Sequence, residues 1–458
     1  MAFIGKTKNQ TTAEDLLGAL RGVKDPDLNQ DIVTLGFVKD ARVEGDRAVC
    51  VIELTTPACP VKDQLRDQAR VLLEALPGIR SADVQMTAKT RAAAGPAREK
   101  LLPRVKNIIA VASGKGGVGK STVSANLALA LAGKGARTGL LDADVYGPSI
   151  PTILGITERP TALGEGRIAP VERYGVKVIS TGFFIPVNEA VIWRGPMLHK
   201  MIQDFLGVVE WGELDYLVID LPPGTGDVQL SLCQTVPITG AVIVSTPQDV
   251  AWNVAQKAIV MFDKLNAPIL GIIENMSHFV CRHCGEKEEI FGAGGARRAA
   301  GVLGIPFLGE IPLVTDIRST ADAGDPVVHS APGGAPAAGF TKIAENLAAQ
   351  VSIRNIRGDS KPVPAKIGPP NEAEFWIEWS DGKRSTYAPR ALRGACPCAA
   401  CVDEVTGRRR VGPESVREDV RVAAVSAVGR YALQVLWSDG HDTGLYGFGY
   451  LRETAGRP

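Results

Sequence analysis

The stretch NIIAVASGKGGVGKSTVSANLALALA, Asn107 to Ala132, decides the fold. Its opening residues, Asn107–Ala112, form a short apolar run of strand character. Ser113-Gly-Lys-Gly-Gly-Val-Gly-Lys-Ser121 is a glycine-rich loop, and an apolar helix over Thr122–Leu131 follows it. Strand, glycine loop and helix in that order are the context a phosphate-binding loop requires. Glycines let backbone N–H groups turn inward around phosphate oxygens, and the helix N-terminus adds partial positive charge. The candidate cradle is Gly114, Lys115, Gly116, Gly117, Val118, Gly119, Lys120, Ser121 and Thr122. Lys120 would neutralise the β and γ oxygens of a nucleotide, and the Ser121 hydroxyl would hold Mg²⁺. A glycine-rich turn without a ligand leaves the full pattern between those elements unexplained.

Outward from this loop, strands and helices alternate from Val105 to about Val351. The strand-like runs are Thr138–Asp142, Val176–Ser180, Tyr216–Asp220, Ala241–Ser245 and Ile269–Glu274, with a helix over Val250–Leu265. Such alternation predicts a parallel sheet with helices on both faces. Before it, residues 1–92 read as a small α/β unit: a helix Ala13–Val23, strands Ile32–Val38 and Ala48–Leu54, a helix Val61–Leu76 and a strand Ala82–Met86. Residues 93–104 read as a linker. The central domain then covers 105–355, and a second, proline-containing linker covers 356–370. The last segment, 371–458, contains an echo, Trp379-Ser-Asp-Gly382 and Trp437-Ser-Asp-Gly440, each after an alternating strand pattern (Glu374–Trp379, Tyr431–Trp437). A small, mainly β module with Asp-Gly turns is expected there. The fold class is α/β: a central sheet flanked by a small α/β domain and a small mainly-β metal-binding domain.

Lys115 directly follows the first glycine of the loop, on its outer edge, where a cation could reach a phosphate on a facing subunit. This deviant phosphate loop (SIMIBI class) resembles that of the dimeric ATPases that include the nitrogenase iron protein and the MinD/ParA positioning proteins. The resemblance implies two active sites facing each other across a two-fold axis, with Lys115 acting in trans. Asp142 and Asp144 follow the strand Thr138–Leu141, and Asp220 ends the strand Tyr216–Ile219. A carboxylate at that end of a parallel strand sits beside the phosphates, so Asp220 is a Mg²⁺ ligand through water. By resemblance Asp144 orients the attacking water with Asp142 nearby, Asp227 belongs to a loop that senses the γ-phosphate, and Asn275 reads the base edge. For Asp142 and Asp227 a solvated strand-end carboxylate is the competing explanation.

Eight cysteines, five of them in two tight clusters, are distributed wrongly for a disulfide framework and suggest metal. Cys281-Arg-His-Cys284 directly follows the last strand. A C-x-x-C turn brings two thiolates to one centre, whereas tetrahedral zinc or a [4Fe–4S] cluster needs about four protein ligands. His283 lies between the thiols, and Cys233, in a helix Val228–Gln234, reads as core. Two-fold symmetry completes the set economically, each of two chains giving Cys281 and Cys284. A redox dithiol and a zinc-bridged dimer remain alternatives. The motifs NIIAVASGKGGVGKSTVSANLALALA, LLDADVYGPSIP, LVIDLPPGTGD, VIVSTPQDVA and ENMSHFVCRHCG together resemble the Mrp/ApbC group of iron–sulfur cluster carrier ATPases over about Val105 to Val351. That resemblance implies a homodimer with a bridging [4Fe–4S] cluster, loaded from an assembly scaffold and passed to apo iron–sulfur proteins, with ATP binding and slow hydrolysis in control.

In the N-terminal unit, Asp25-Pro-Asp27, Asp31–Phe37 and Thr55-Thr-Pro-Ala-Cys59-Pro60 resemble the MIP18-type domain of cluster-assembly proteins. Cys59 precedes a helix, whose N–H groups are expected to favour its thiolate and a cluster-handling role; a small residue at a buried turn is the alternative. Cys50 lies inside a strand and reads as core. In the last module Cys396-Pro-Cys398-Ala-Ala-Cys401 needs a fourth ligand, and His441 is the only histidine there. Cys₃His is a closed zinc composition. The segment resembles the N-terminal domain of γ-butyrobetaine hydroxylase, which favours Zn²⁺ over an iron–sulfur cluster, and the whole domain order resembles chloroplast cluster-transfer proteins of the high-chlorophyll-fluorescence type.

Lys+Arg 51 against Asp+Glu 50 gives a net charge of +1, so no whole-chain field argues for nucleic acid or an anionic membrane. A positioning ATPase of the MinD/ParA kind would need a basic surface or a terminal amphipathic helix, and LRETAGRP shows none. A scaffold controlled by nucleotide binding without hydrolysis is a further alternative. With no signal, transit or membrane-spanning pattern, a bacterial cytoplasm is expected.

Overall fold

The computed structural model describes residues 11–92, 101–164, 166–184, 195–224, 227–236, 238–265, 267–281, 283–357, 364–369, 374–398, 400–402, 408–428 and 432–455. At its centre is a nine-stranded sheet. From one edge inward run Val171–Arg173, Val176–Ser180, Thr138–Asp142, Leu214–Asp220, Val105–Ser113, Gly240–Ser245 and Ile269–Val280, the last pairing with both Lys287–Glu288 and Phe307–Leu313. Only Val171–Arg173 and Lys287–Glu288 pair antiparallel. Strand Val105–Ser113 is buried along nearly its whole length, as a central parallel strand must be. Its side chains alternate between two cores: Ile109 and Val111 face the helices Lys120–Gly133 and Ala335–Arg357, while Ile108, Ala110 and Ala112 face the helices Gly195–Gly207, Asp227–Thr235 and Asp249–Lys264. Because the strands are parallel, Ser113, Asp142 and Asp220 all end on one edge of the sheet, with Asp220 in register with Asp142 and Val111. The phosphate loop opens on that edge.

The N-terminal unit is a three-stranded sheet, Val38–Glu44, Arg47–Leu54 and Ser81–Ala88, backed by helices Ala13–Leu20 and Lys62–Glu74. The expected strand Ile32–Val38 is a correction: only Val38 is extended. The Asp31 carboxylate accepts the N–H groups of Val33 (3.1 Å) and Thr34 (2.8 Å), and Gly36 is left-handed at φ 67°. This turn still buries Ile32 and Phe37, which is why its apolar pattern passes for a strand. Residues 93–100 of the first linker lie outside the described residues. The second linker needs correcting too. The helix runs to Arg357, and Pro364–Ile367 is an edge strand on Phe375–Trp379, the position in a sheet that tolerates proline.

The last module consists of two three-stranded sheets, Pro364–Ile367 with Phe375–Trp379 and Arg384–Tyr387, and Val422–Val428 with Ala432–Trp437 and Leu445–Gly447. Each ends in a short helix, Pro389–Gly394 and Phe448–Thr454. The two WSDG turns are alike: Gly382 and Gly440 are left-handed, and their N–H groups bond the Trp379 and Trp437 carbonyls at 2.9 and 3.0 Å. The module rests on the central domain where Gly447 meets the end of helix Gly295–Leu303; a Cβ there would lie 2.4 Å from the Val302 carbonyl. Among the described residues no helix is long and apolar enough to cross a membrane.

Candidate functional site

Three carboxylates and one lysine meet at the carboxyl edge of the central sheet. Gly117 and Gly119 both take φ 77°, the left-handed backbone that turns the loop into helix Lys120–Gly133. Lys120 is nearly buried, its Nζ 2.8 Å from Asp220 Oδ1 and 3.8 Å from Asp144 Oδ2. The Ser121 hydroxyl donates to Asp220 Oδ2 and the Ser124 hydroxyl to Asp220 Oδ1, each at 2.6 Å. Ser124 was not foreseen; one helical turn beyond Ser121, it shares that face, and the spacing was the available signal. Asp142 is fully buried and accepts from Ser180 Oγ (2.8 Å), Ile150 N–H (3.2 Å) and Asp144 N–H (3.1 Å). Burial, then the Asp220 charge, push Asp142 up to about 7. Its bonds make it a structural post for the Asp144 loop. Burial also raises Asp144, against the pull of Lys120. Lys115 reaches Gln248 Oε1 of its own chain at 3.0 Å. Thr122 carries its carbonyl bond to Asn126. Asp227 opens helix Asp227–Thr235, and its side chain lies outside the described residues. Asn275 faces the loop itself: its Nδ2 donates to the Val118 carbonyl at 2.8 Å.

Strand Ile269–Val280 runs six residues past its expected end and delivers Cys281 directly. The turn closes through Gly285 N–H to Cys281 O and Cys281 N–H to Glu286 O, both 2.9 Å. Cys281 is half-buried and Cys284 exposed. Backbone N–H groups of Cys284 and His283, and the Cys284 thiol, hold Cys281 below the usual thiol range. Among the described residues the one cluster of three or more metal-ligating groups lies elsewhere, and Cys281 and Cys284 are not joined by a third such group of their own chain.

That cluster is Cys396, Cys398, Cys401 and His441. His441 Nε2 lies 3.2, 3.5 and 3.8 Å from the three sulfurs in turn. A tetrahedral ion about 2.3 Å from sulfur and about 2.0 Å from nitrogen sets ligand atoms about 3.6 Å apart. The four groups therefore fit a single shared ion. A four-iron cube, with a separate iron under each thiolate, would hold them further apart. Cys396 donates to Cys398, pulling Cys398 down to about 4 and pushing Cys396 up, as expected of thiols packed closely enough to share a proton. Thr443 Oγ1 donates to Cys398 Sγ and Arg393 to Cys401 Sγ, both at 3.4 Å; neither donor was foreseen.

At Cys59 the expected thiolate needs correcting. Burial pushes its thiol up to about 11, outweighing the bond from the helix start that was expected to favour thiolate. Its loop is docked on the central domain, with Thr56 Oγ1 2.8 Å from Tyr216 Oη and Ala58 in the central core. Cys50 is fully buried, and Cys233 is partly buried against the helical core and pushed up to about 12 by burial.

The family described as NUBPL iron-transfer P-loop NTPase matches residues 104–348, more than half of the chain. The chain belongs to that family. This iron-transfer P-loop NTPase carries two further matched segments: iron–sulfur cluster assembly protein over residues 13–86, and γ-butyrobetaine hydroxylase-like N-terminal domain over 370–452. It is 50% identical over 342 residues to an iron–sulfur cluster carrier protein of Deinococcus radiodurans, covering 74% of this chain and 96% of the relative. It is 39% identical over 456 residues to the chloroplastic Fe–S cluster assembly factor HCF101 of Arabidopsis thaliana, covering 95% of this chain and 82% of that one. Among solved structures, a nucleotide-binding protein of Archaeoglobus fulgidus in complex with ADP is 44% identical with a TM-score of 0.45, covering 50% of this chain and 90% of that one.

Proposed function

We propose that this NTPase is an ATP-dependent iron–sulfur cluster carrier. Two chains face each other, and Cys281 and Cys284 of both hold a [4Fe–4S] cluster that arrives from an assembly scaffold and leaves to apo-proteins. The observation that carries the reading is the incomplete thiol pair at the end of a strand whose Asn275 touches the phosphate loop. An open pair shared across an axis suits a cargo that must leave, whereas a closed set suits a resident ion. ATP would lie along residues 114–122, with Mg²⁺ at Ser121 and Asp220. The buried Lys120 charge would turn from Asp220 and Asp144 toward the phosphates, leaving Asp144 to orient a water for slow hydrolysis. Lys115 would exchange Gln248 for the partner's phosphate when the dimer closes. The closed set Cys396, Cys398, Cys401 and His441 would hold Zn²⁺ as a structural knot. The cytoplasm, with its reducing pool, suits free thiols of both kinds.

Iron counted after anaerobic reconstitution of wild type and Cys281→Ala tests the reading. About four irons per dimer in wild type, lost in the variant, is the expected result. Retention of all of them by Cys281→Ala overturns it.

A further inference from the structure

Asn275 and Met276 stand on one strand between the phosphate loop and the thiol turn, with Cys281 six residues beyond Asn275. The Asn275 side chain is buried, and its amide donates to the Val118 carbonyl at 2.8 Å. Gly119 leaves that amide no slack, since a Cβ there would come within 2.4 Å of Nδ2. Met276 has φ 58°, a left-handed backbone that a residue with a side chain adopts only when its surroundings impose it. At the same point the pairing with strand Phe307–Leu313 slips: Asn275 lies opposite Ile311, but Phe279 lies opposite Leu313. Ser277 Oγ closes the gap by donating to the Ile311 carbonyl at 3.2 Å. Past this bulge, Phe279 and Val280 pair with Glu288 and Lys287 and deliver Cys281. A bulge bends and twists its strand, so the backbone at Met276 sets the direction in which the thiol turn points.

A trans peptide unit is planar, with its C=O and N–H pointing opposite ways. The unit between Val118 and Gly119 gives its carbonyl to Asn275, so the Gly119 N–H points the other way. A phosphate oxygen that takes this N–H would fix the plane of the unit, and with it the carbonyl that Asn275 holds.

We propose that Asn275 and Met276 form a positioning joint, in which Asn275 follows the Val118 carbonyl as the loop fills and the left-handed Met276 turns that movement into a reorientation of the Cys281–Cys284 turn. The proposal rests on the nucleotide-loop reading above. It gives Asn275 a role on the loop in addition to the base-edge contact that the resemblance implies.

The test follows free thiols, so it does not depend on cargo. Reduced full-length protein without cluster is alkylated with iodoacetamide, with and without saturating Mg·ATP or Mg·ADP, and modification of the Cys281–Cys284 peptide is timed by mass spectrometry. In wild type, nucleotide is expected to change the rate by about fivefold or more. Met276→Gly accepts either hand of backbone and is expected to bind nucleotide in equilibrium dialysis while losing the rate difference. Asn275→Asp keeps the shape but removes the donor, and is expected to lose the difference at saturating nucleotide. A wild-type rate indifferent to bound nucleotide, or a wild-type difference preserved in either variant, overturns the joint. Preservation in both is also what simple shielding of the thiols by a partner chain would give. Should Met276→Gly fail to fold, Asn275→Asp decides alone. Iron retained by Cys281→Ala would sink the carrier reading without touching this result.

Discussion

At Gly119 one added methyl group would meet the Asn275 amide nitrogen at 2.4 Å, whereas at Gly117, with the same φ of 77°, it would meet nothing within 4 Å. Both alanine variants carry the cost of a Cβ in left-handed backbone, about 1–2 kcal/mol. Only Gly119→Ala must also displace Asn275, so its loss of stability in chemical denaturation is expected to exceed that of Gly117→Ala by about 1–3 kcal/mol. Equal losses would show that the Asn275 contact yields freely. Asp142 gives a pH signature. Burial and the Asp220 charge push its carboxyl up to about 7 in the folded chain, against about 3.9 for an ordinary aspartate, so between those values the folded chain holds a proton that the unfolded chain has lost. Its contribution to stability therefore falls as pH rises through that window, by up to about 1.4 kcal/mol per pH unit, and is flat above it. Asp142→Asn removes the titration, so its stability relative to wild type is expected to improve from pH 5 to pH 8; an unchanged difference would place the proton elsewhere. At this scale the loop, Ser121 and Asp220 were legible because one contiguous motif and one strand end carry them. The Asn275 bond was not, because which face of a strand end meets a loop depends on register between distant segments.

The last module shows what elements add to a motif. Its repeated WSDG turn was visible in the sequence, but the exchange between halves was not. Tyr387 Oη donates to the Leu451 carbonyl at 2.9 Å, and Tyr446 Oη to the Leu392 carbonyl at 3.2 Å. Arg393 bonds Asp439 and Arg452 bonds Asp381, both at 2.9 Å. Each half thus closes the turn of the other, a reciprocity set by the packing of two helices and not by local spacing. One half has added chemistry: Arg393 also reaches the Cys401 sulfur, and Asp439 Oδ1 accepts the His441 N–H at 3.1 Å. With a divalent ion bound, three thiolates and a neutral imidazole would leave one negative charge for Arg393 to offset. Removing such a support typically costs about 10–100-fold in metal affinity. With Cys281 and Cys284 replaced by alanine so that one thiol set remains, Arg393→Gln is expected to release zinc to a chelating dye at least about tenfold faster than wild type. Arg452→Gln loses the same turn contact without a thiolate and should stay close to wild type. Equal acceleration in both would reduce Arg393 to a fold contact.

Across the whole molecule the two thiol-bearing ends of the central sheet lie far apart. Tyr216, which Thr56 contacts, pairs with Asn107 near the start of the parallel strands, whereas Cys281 lies beyond the far end of strand Ile269–Val280. About nine strand residues separate that level from the bend at Met276, roughly 30 Å at ~3.3 Å per residue, and the thiol turn lies beyond the bend. Cys59 therefore cannot share a cluster with Cys281 of its own chain while its loop is docked. Domain order in the sequence carried no hint of this, since a linker permits either end. Docking adds to the burial of this thiol. Burial pushes the Cys59 thiol up to about 11, so at pH 8 its thiolate is rarer by about a hundredfold than in an exposed thiol. Ala58 is 1% exposed and sits in the central core, so Ala58→Glu would place a charge where none can be solvated and should lift the loop off the sheet. Cys59 is then expected to alkylate at least about tenfold faster at pH 8, the remaining protection coming from its own module, while the exposed Cys284 keeps its wild-type rate. Acceleration at both thiols would mean general unfolding. An unchanged Cys59 rate would mean that its own module, and not the docked interface, withholds the thiol.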